Sequence, residues 1–84
     1  MNRKSRIRAM RKEIMKLGKI TWEGYLNRDE SGVRVPRKEW GYSVHADING
    51  YHICAPDHTP YEAYKAALDC ARWCMMEPTF GENM

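Results

Sequence analysis

Acid is almost missing from the start of this chain. Residues 1–19 hold one acidic residue, Glu13, against Arg3, Lys4, Arg6, Arg8, Arg11, Lys12, Lys16 and Lys19. Eight cations against one acid give the stretch +7, whereas all 84 residues sum to +3, so residues 20–84 carry −4. A segment so depleted in acid attracts phosphate or an acidic protein surface. Long apolar runs are missing too: none approaches the roughly 18 residues that span a bilayer. The basic start has no apolar stretch behind it, so no secretory leader is expected. The three cysteines, Cys54, Cys70 and Cys74, are an odd count and imply no disulfide framework. That fits a reducing, cytoplasmic home. Repeats and low-complexity tracts are absent. At 84 residues the chain is read as a single domain over 1–84, with loose termini at 1–2 and 77–84. A chain this short buries only about 60–65% of its unfolded surface, which leaves a small stability margin and little room for a deep catalytic cleft.

What is present reads as five elements. Ile7, Met10, Ile14 and Leu17 recur at helical spacing, predicting a helix over 3–17 that Gly18 stops. Arg3 and Lys4 oppose the dipole at its start, so these cations are placed for something other than the helix. Residues 20–27 alternate as a strand, with Ile20, Trp22 and Leu26 on one face and Thr21, Glu23 and Tyr25 on the other. Trp22 is read as core. Residues 28–38 form a polar loop holding Arg34, Arg37 and Lys38. Asn49-Gly50 joins strands 42–48 and 51–55 in a two-residue hairpin, because both turn residues accept positive φ. That fixes the register: Ile48 faces Tyr51, Asp47 faces His52, Ala46 faces Ile53, and His45 faces Cys54. Val44, Ala46, Ile48, Tyr51, Ile53 and Ala55 then share the core face, and Ser43, His45, Asp47, His52 and Cys54 the solvated one. Thr59-Pro60-Tyr61-Glu62 opens a capped helix running to about Met76, before Pro78. Tyr64, Leu68, Ala71 and Met75 form its core stripe, and Cys70 and Cys74 are read as buried thiols. The predicted class is α+β: an N-terminal helix, a three-stranded antiparallel sheet and a C-terminal helix, with both helices on one face of the sheet.

This order resembles the double-stranded-RNA-binding domain over residues 3–76, most closely in YSVHADINGYHICAPDHTPYEAYKAALDCA, residues 42–71. The resemblance implies RNA contacts from the first helix, the first strand–strand loop and a lysine cluster opening the last helix. The first two places are basic here; the third carries Pro60-Tyr61-Glu62, with only Lys65 nearby. The three-stranded arm-site DNA-binding domains of phage integrases are similar in the sheet-plus-helix pattern, equally loosely.

Two further groups invite chemistry. His45/Cys54 and Asp47/His52 are non-hydrogen-bonded hairpin pairs, whose Cα atoms lie about 4.5 Å apart. They gather two imidazoles, a thiol and a carboxylate, all zinc-ligand types. His-x-Cys on a strand is not a common zinc signature, so the face is read as solvated, without metal and without a catalytic Cys54. Tyr25, Trp40 and Trp73 are candidates for exposure, where aromatics stack on bases or anchor protein interfaces.

The sequence therefore predicts a small non-enzymatic binding protein without a cofactor. Its expected site comprises Arg3, Lys4, Arg6, Arg8, Arg11, Lys12, Lys16, Arg34, Arg37, Lys38, Tyr25 and Trp40. The expected partner is an acidic surface of a nucleic-acid-handling complex, on which the chain acts as inhibitor or adaptor. In size and style it resembles small phage and mobile-element proteins, including anti-CRISPR proteins. The alternative is direct binding of dsRNA or DNA. A membrane role is not expected, because the first helix lacks the broad apolar face it needs. Reversing the charge of Arg6, Arg8, Arg11 and Lys12 is expected to spare the fold.

Overall fold

Each of the five elements has a local cause. The computed structural model describes residues 2–76, so the expected loose tail at 77–84 lies outside the described residues. Helix α1 spans Arg3–Leu17. Asn2, assigned to a loose terminus above, caps it: its side chain accepts a hydrogen bond from the Ser5 N–H at 2.9 Å. Strand β1, Gly18–Leu26, follows with no loop between. The glycine at this junction is needed for close approach, since a Cβ there would stand 2.2 Å from the Asp47 carbonyl oxygen.

Strands β2 (Gly41–Ile48) and β3 (Tyr51–Asp57) form the hairpin in the predicted register, from Ile48↔Tyr51 to His45↔Cys54. Asn49 and Gly50 sit at φ 51° and 85°, as a type I′ turn requires. The Asn49 side chain also donates to the Cys74 carbonyl at 2.8 Å, tying the turn to the last helix. That helix, α2, spans Pro60–Met76. At its start the Glu62 N–H donates to Thr59 Oγ1 at 3.2 Å, and the Thr59 hydroxyl donates to the Glu62 carboxylate at 3.3 Å.

The sheet order is β1-β2-β3, all antiparallel, and both helices cover one face. Two contacts set the helices parallel and in step: Arg3 lies over the Tyr61 ring at 5.2 Å, and Arg72 pairs with Glu13 at 2.6 Å. The core between the layers is Ile14, Val44, Ala46, Ile48, Ile53, Ala55, Ala63, Tyr64, Ala67, Leu68, Ala71 and Cys74. No helix among the described residues is long and apolar enough to cross a membrane.

The structure corrects the sequence reading in three places. First, β1 carries a bulge: Ile20 pairs with Ala46 and Trp22 with His45, which leaves Thr21 as the extra residue. Everything after Thr21 changes face. Glu23 and Tyr25 join the helix-covered side, opposite Val44 and Tyr42, while Trp22 and Leu26 turn outward. Trp22 is thus exposed rather than core. Second, on α2 Met75 is exposed rather than core and Cys70 is exposed rather than buried, whereas Cys74 is buried as expected. Third, the solvated face is less wet than expected. Ser43 is buried and His45 half-buried, with the Trp22 ring edge-on to His45 at 5.4 Å. The polar loop stands where the sequence places it and is held by its own bonds. Asp29 accepts from the Ser31 and Val33 N–H groups, each at 2.9 Å, Gly32 turns at φ 84°, and a 3₁₀ turn spans Arg37–Glu39.

Candidate docking surface

The cations of α1 fall into two sets. Lys4, Arg8, Lys12 and Lys16 recur every fourth residue, so they make one ridge about 18 Å long at 1.5 Å per residue. All four are exposed, and among the described residues none has an ion-pair or hydrogen-bond partner. Arg6 is likewise exposed and unpaired on the flank. Glu13, the one acid of the helix, is occupied by Arg72.

Arg11 belongs to the second set. Its Nε and Nη2 grip the Glu23 carboxylate at 2.9 and 2.7 Å, in the bidentate geometry that makes arginine–carboxylate pairs strong. The Tyr64 hydroxyl donates to the same carboxylate, and Tyr42 lies 3.1 Å from the Tyr64 oxygen. Hydrogen bonding from Arg11 holds the Glu23 carboxyl below its ordinary range, against the opposing effect of burial. Burial first, and then the bond to Glu23, push the Tyr64 phenol well above its ordinary range. Arg11 therefore ties α1 to β1 rather than standing free as a docking cation, and its reversal would set two carboxylates against each other. Glu23 and Tyr64 were missed as a network because it exists only after the bulge turns Glu23 inward.

The loop cations lie at one end of the molecule. Leu26 pairs with Gly41 and Tyr42 with Asp57, so the end of β1, the starts of β2 and α2, and the intervening loop meet there. Arg3 over Tyr61 brings the start of α1 to the same end. Arg34, Arg37 and Lys38 are exposed in the loop. Arg37 stacks over Trp40 at 5.8 Å, and Trp40 donates its indole N–H to the Val35 carbonyl at 3.1 Å. A ladder of rings runs inward: Trp40 to Tyr25 at 5.7 Å, Tyr25 to Tyr42 at 5.0 Å, and Tyr42 to Tyr64 at 5.6 Å. Tyr25 is 56% exposed and Trp40 half-buried, so Tyr25 is the accessible member of the pair. Trp73 is also exposed, but it lies near Tyr51 by the hairpin turn, away from the loop.

The outer face of the sheet carries the other side-chain cluster. His52 Nδ1 meets Asp47 Oδ1 at 2.7 Å, and Cys54 Sγ stands 3.5 Å from His45 Nε2. Comparison with protein families, with curated proteins and with solved structures finds none that matches this chain.

Proposed function

We propose that this chain is a small binding protein, not an enzyme, which docks through the basic ridge of α1 on an acidic surface of a larger nucleic-acid-handling complex and acts there as inhibitor or adaptor. The observation that carries this reading is the unpaired ridge itself. Like charges four apart on a helix oppose its formation, and α1 has no acid in its first turn to compensate. A helix that keeps four such cations exposed is shaped for an external anion. The footprint is one helix wide: α2, packed alongside, exposes Glu62 and Asp69. A duplex laid across both helices would meet those carboxylates, which favours a protein surface. In size and style it resembles phage and mobile-element proteins of the anti-CRISPR type, and a cytoplasmic site of action belongs to the same proposal.

Direct nucleic-acid binding is the second reading, favoured by the loop cations and exposed Tyr25 at the end where α1 begins. Affinity capture from host extract distinguishes the two, with wild-type bait and bait reversed at Lys4, Arg8, Lys12 and Lys16, each with and without nuclease. A protein kept by wild-type bait after nuclease and lost by the reversed bait is the expected outcome. Loss of all capture on nuclease treatment selects the second reading. Full capture by the reversed bait refutes docking through the ridge.

A further inference from the structure

The outer edge of β3 is open: among the described residues the sheet ends there, with β2 on its inner side. His52 and Cys54 stand in non-hydrogen-bonded pairs with β2, so their N–H and C=O groups point away from it, out of the sheet. Pro56, the next residue with that orientation, has no N–H to offer. An added antiparallel strand is therefore best matched around Ile53. Where that strand is a second β3, turned about a two-fold axis through Ile53, His52 of each chain faces Cys54 of the other. Each such pair exchanges two N–H···O=C bonds, and no outward group of either residue is left over. A two-fold centred on Cys54 instead sets Pro56 against the His52 carbonyl.

The helix layer fits the same axis. α2 lies over β2 and β3 alike, half a strand spacing inside the edge. Two copies of α2 then stand about 10 Å apart, the spacing of packed helices. Tyr61 and Arg72 face α1, so the opposite flank of α2 faces the seam. That flank carries Ala66, Cys70 and Trp73 at spacings of four and three, with Trp73 against Tyr51 of β3. None of the three is charged, and Cys70 and Trp73 are exposed. Two residues of strand span about four of helix. Since Tyr51 is level with Trp73, Ile53 is level with residues 69–70. The axis therefore sets Cys70 beside Cys70 of the second copy and lays each Trp73 on the other chain's small Ala66. The β1 edge is different. It carries Lys19 and the Thr21 bulge, both of which discourage pairing. α1 lies over it, so pairing there would bring two strongly basic helices together.

We propose that the β3 edge and the Ala66–Cys70–Trp73 flank of α2 form a homodimer seam, whose occupant is a second copy of this chain. The patch is self-complementary, as a two-fold interface requires. The two α1 helices lie at the far sides of the four-helix layer, about 30 Å apart. That is well beyond the screening length of about 8 Å, so their charge does not oppose the pairing. One short strand pair and one helix flank make a small seam, so chains exchange with concentration. Both ridges stay exposed in the dimer, and the pairing stands or falls apart from what they bind.

Sedimentation of the full chain from micromolar to millimolar concentration tests this, and the average mass should rise from one chain towards two. Amide exchange read by NMR locates the seam: the His52 and Cys54 N–H groups should be protected at high concentration and exchange freely at low. Trp73→Glu should raise the dimer dissociation constant by about 30-fold or more, the range of an interface hot spot, and leave the circular dichroism unchanged. Helices at this spacing leave the two Cys70 Cα atoms about 5–6 Å apart, within reach of a disulfide. Diamide, which takes up the two electrons and two protons, should link Cys70 to Cys70. The link should survive Cys54→Ser and vanish in Cys70→Ser. A single chain at every concentration, a dimer undisturbed by Trp73→Glu, or a preferred Cys54 link would each overturn the proposal. So would His52 and Cys54 amides that exchange freely at every concentration, or that are protected at every concentration, which would give the edge to another segment of the same chain.

Discussion

The carboxylate of Glu23 is held by donors from both helices, two from Arg11 and one from Tyr64. One carboxylate of β1 thus ties both helices to the sheet, alongside the packing of Ile14 in the core. Tyr64→Phe should cost about 1.5–3 kcal/mol in urea unfolding, the range for hydrogen bonds to charged groups. Arg11→Glu should cost more than reversal of any ridge cation, since it sets two carboxylates face to face. The acid and alkaline limbs of stability follow from the same network. Glu23 titrates lower in the folded chain than its ordinary 4.5, so its contribution is full above that value and is lost as pH falls through the folded value. Tyr64 titrates higher than its ordinary 10.0, so its contribution is full below that value and is lost as pH rises beyond it. Urea midpoints measured across pH should show both limbs in the wild type. Glu23→Gln should flatten the acid limb and Tyr64→Phe the alkaline one; unchanged limbs would remove the network from the account of stability.

Among the elements, the hairpin and α2 were the most legible in sequence, because each is fixed by short-range chemistry. Asn-Gly dictates the turn and so every cross-strand pair, and Thr59-Pro60 with Glu62 fixes where α2 begins. The bulge in β1 was not legible. Ile20, Trp22, Tyr25 and Leu26 place apolar side chains on both faces in either phase, so alternation alone cannot reveal an extra residue at Thr21. The roll of α2 was ambiguous for a related reason: Cys74 and Met75 lie three and four residues beyond Ala71, and both spacings fit one helical stripe. The basic helix was legible as charge, but its division into a free ridge and the anchored Arg11 required the sheet. Two predictions belong to this scale. Thr59→Ala should cost about 1 kcal/mol through the lost cap, read as a lower urea midpoint. Replacing Lys4, Arg8, Lys12 and Lys16 together by Gln should raise stability by about 1 kcal/mol, since three like-charge pairs are relieved at about 0.2–0.5 kcal/mol each. The same variant should lose its partner. A ridge that stabilises the isolated helix would argue against selection for binding.

For the molecule as a whole, the core is built for close approach. Of the twelve buried apolar residues among those described, five are alanines: Ala46, Ala55, Ala63, Ala67 and Ala71. Helix and sheet backbones therefore stand near each other with little side-chain volume between, so enlarging a site should hurt. Ala67→Val should lower stability by about 1–3 kcal/mol through overpacking, and Leu68→Ala by about 2–5 kcal/mol through the cavity it leaves. Chemical denaturation measures both, and a neutral Ala67→Val would mean slack between the layers.

The parallel setting of α1 and α2 has an electrical meaning apart from any side chain. In an antiparallel pair the two peptide dipoles cancel; here they add, placing about half an elementary charge twice at the end where both helices begin. The loop cations and Arg3 lie at that same end, so backbone and side chains give the protein one polar axis. In the field of a polyanion, a body with such an axis rotates before it touches. The chain would then arrive with its basic end leading, and its orientation would be chosen during approach rather than after collision.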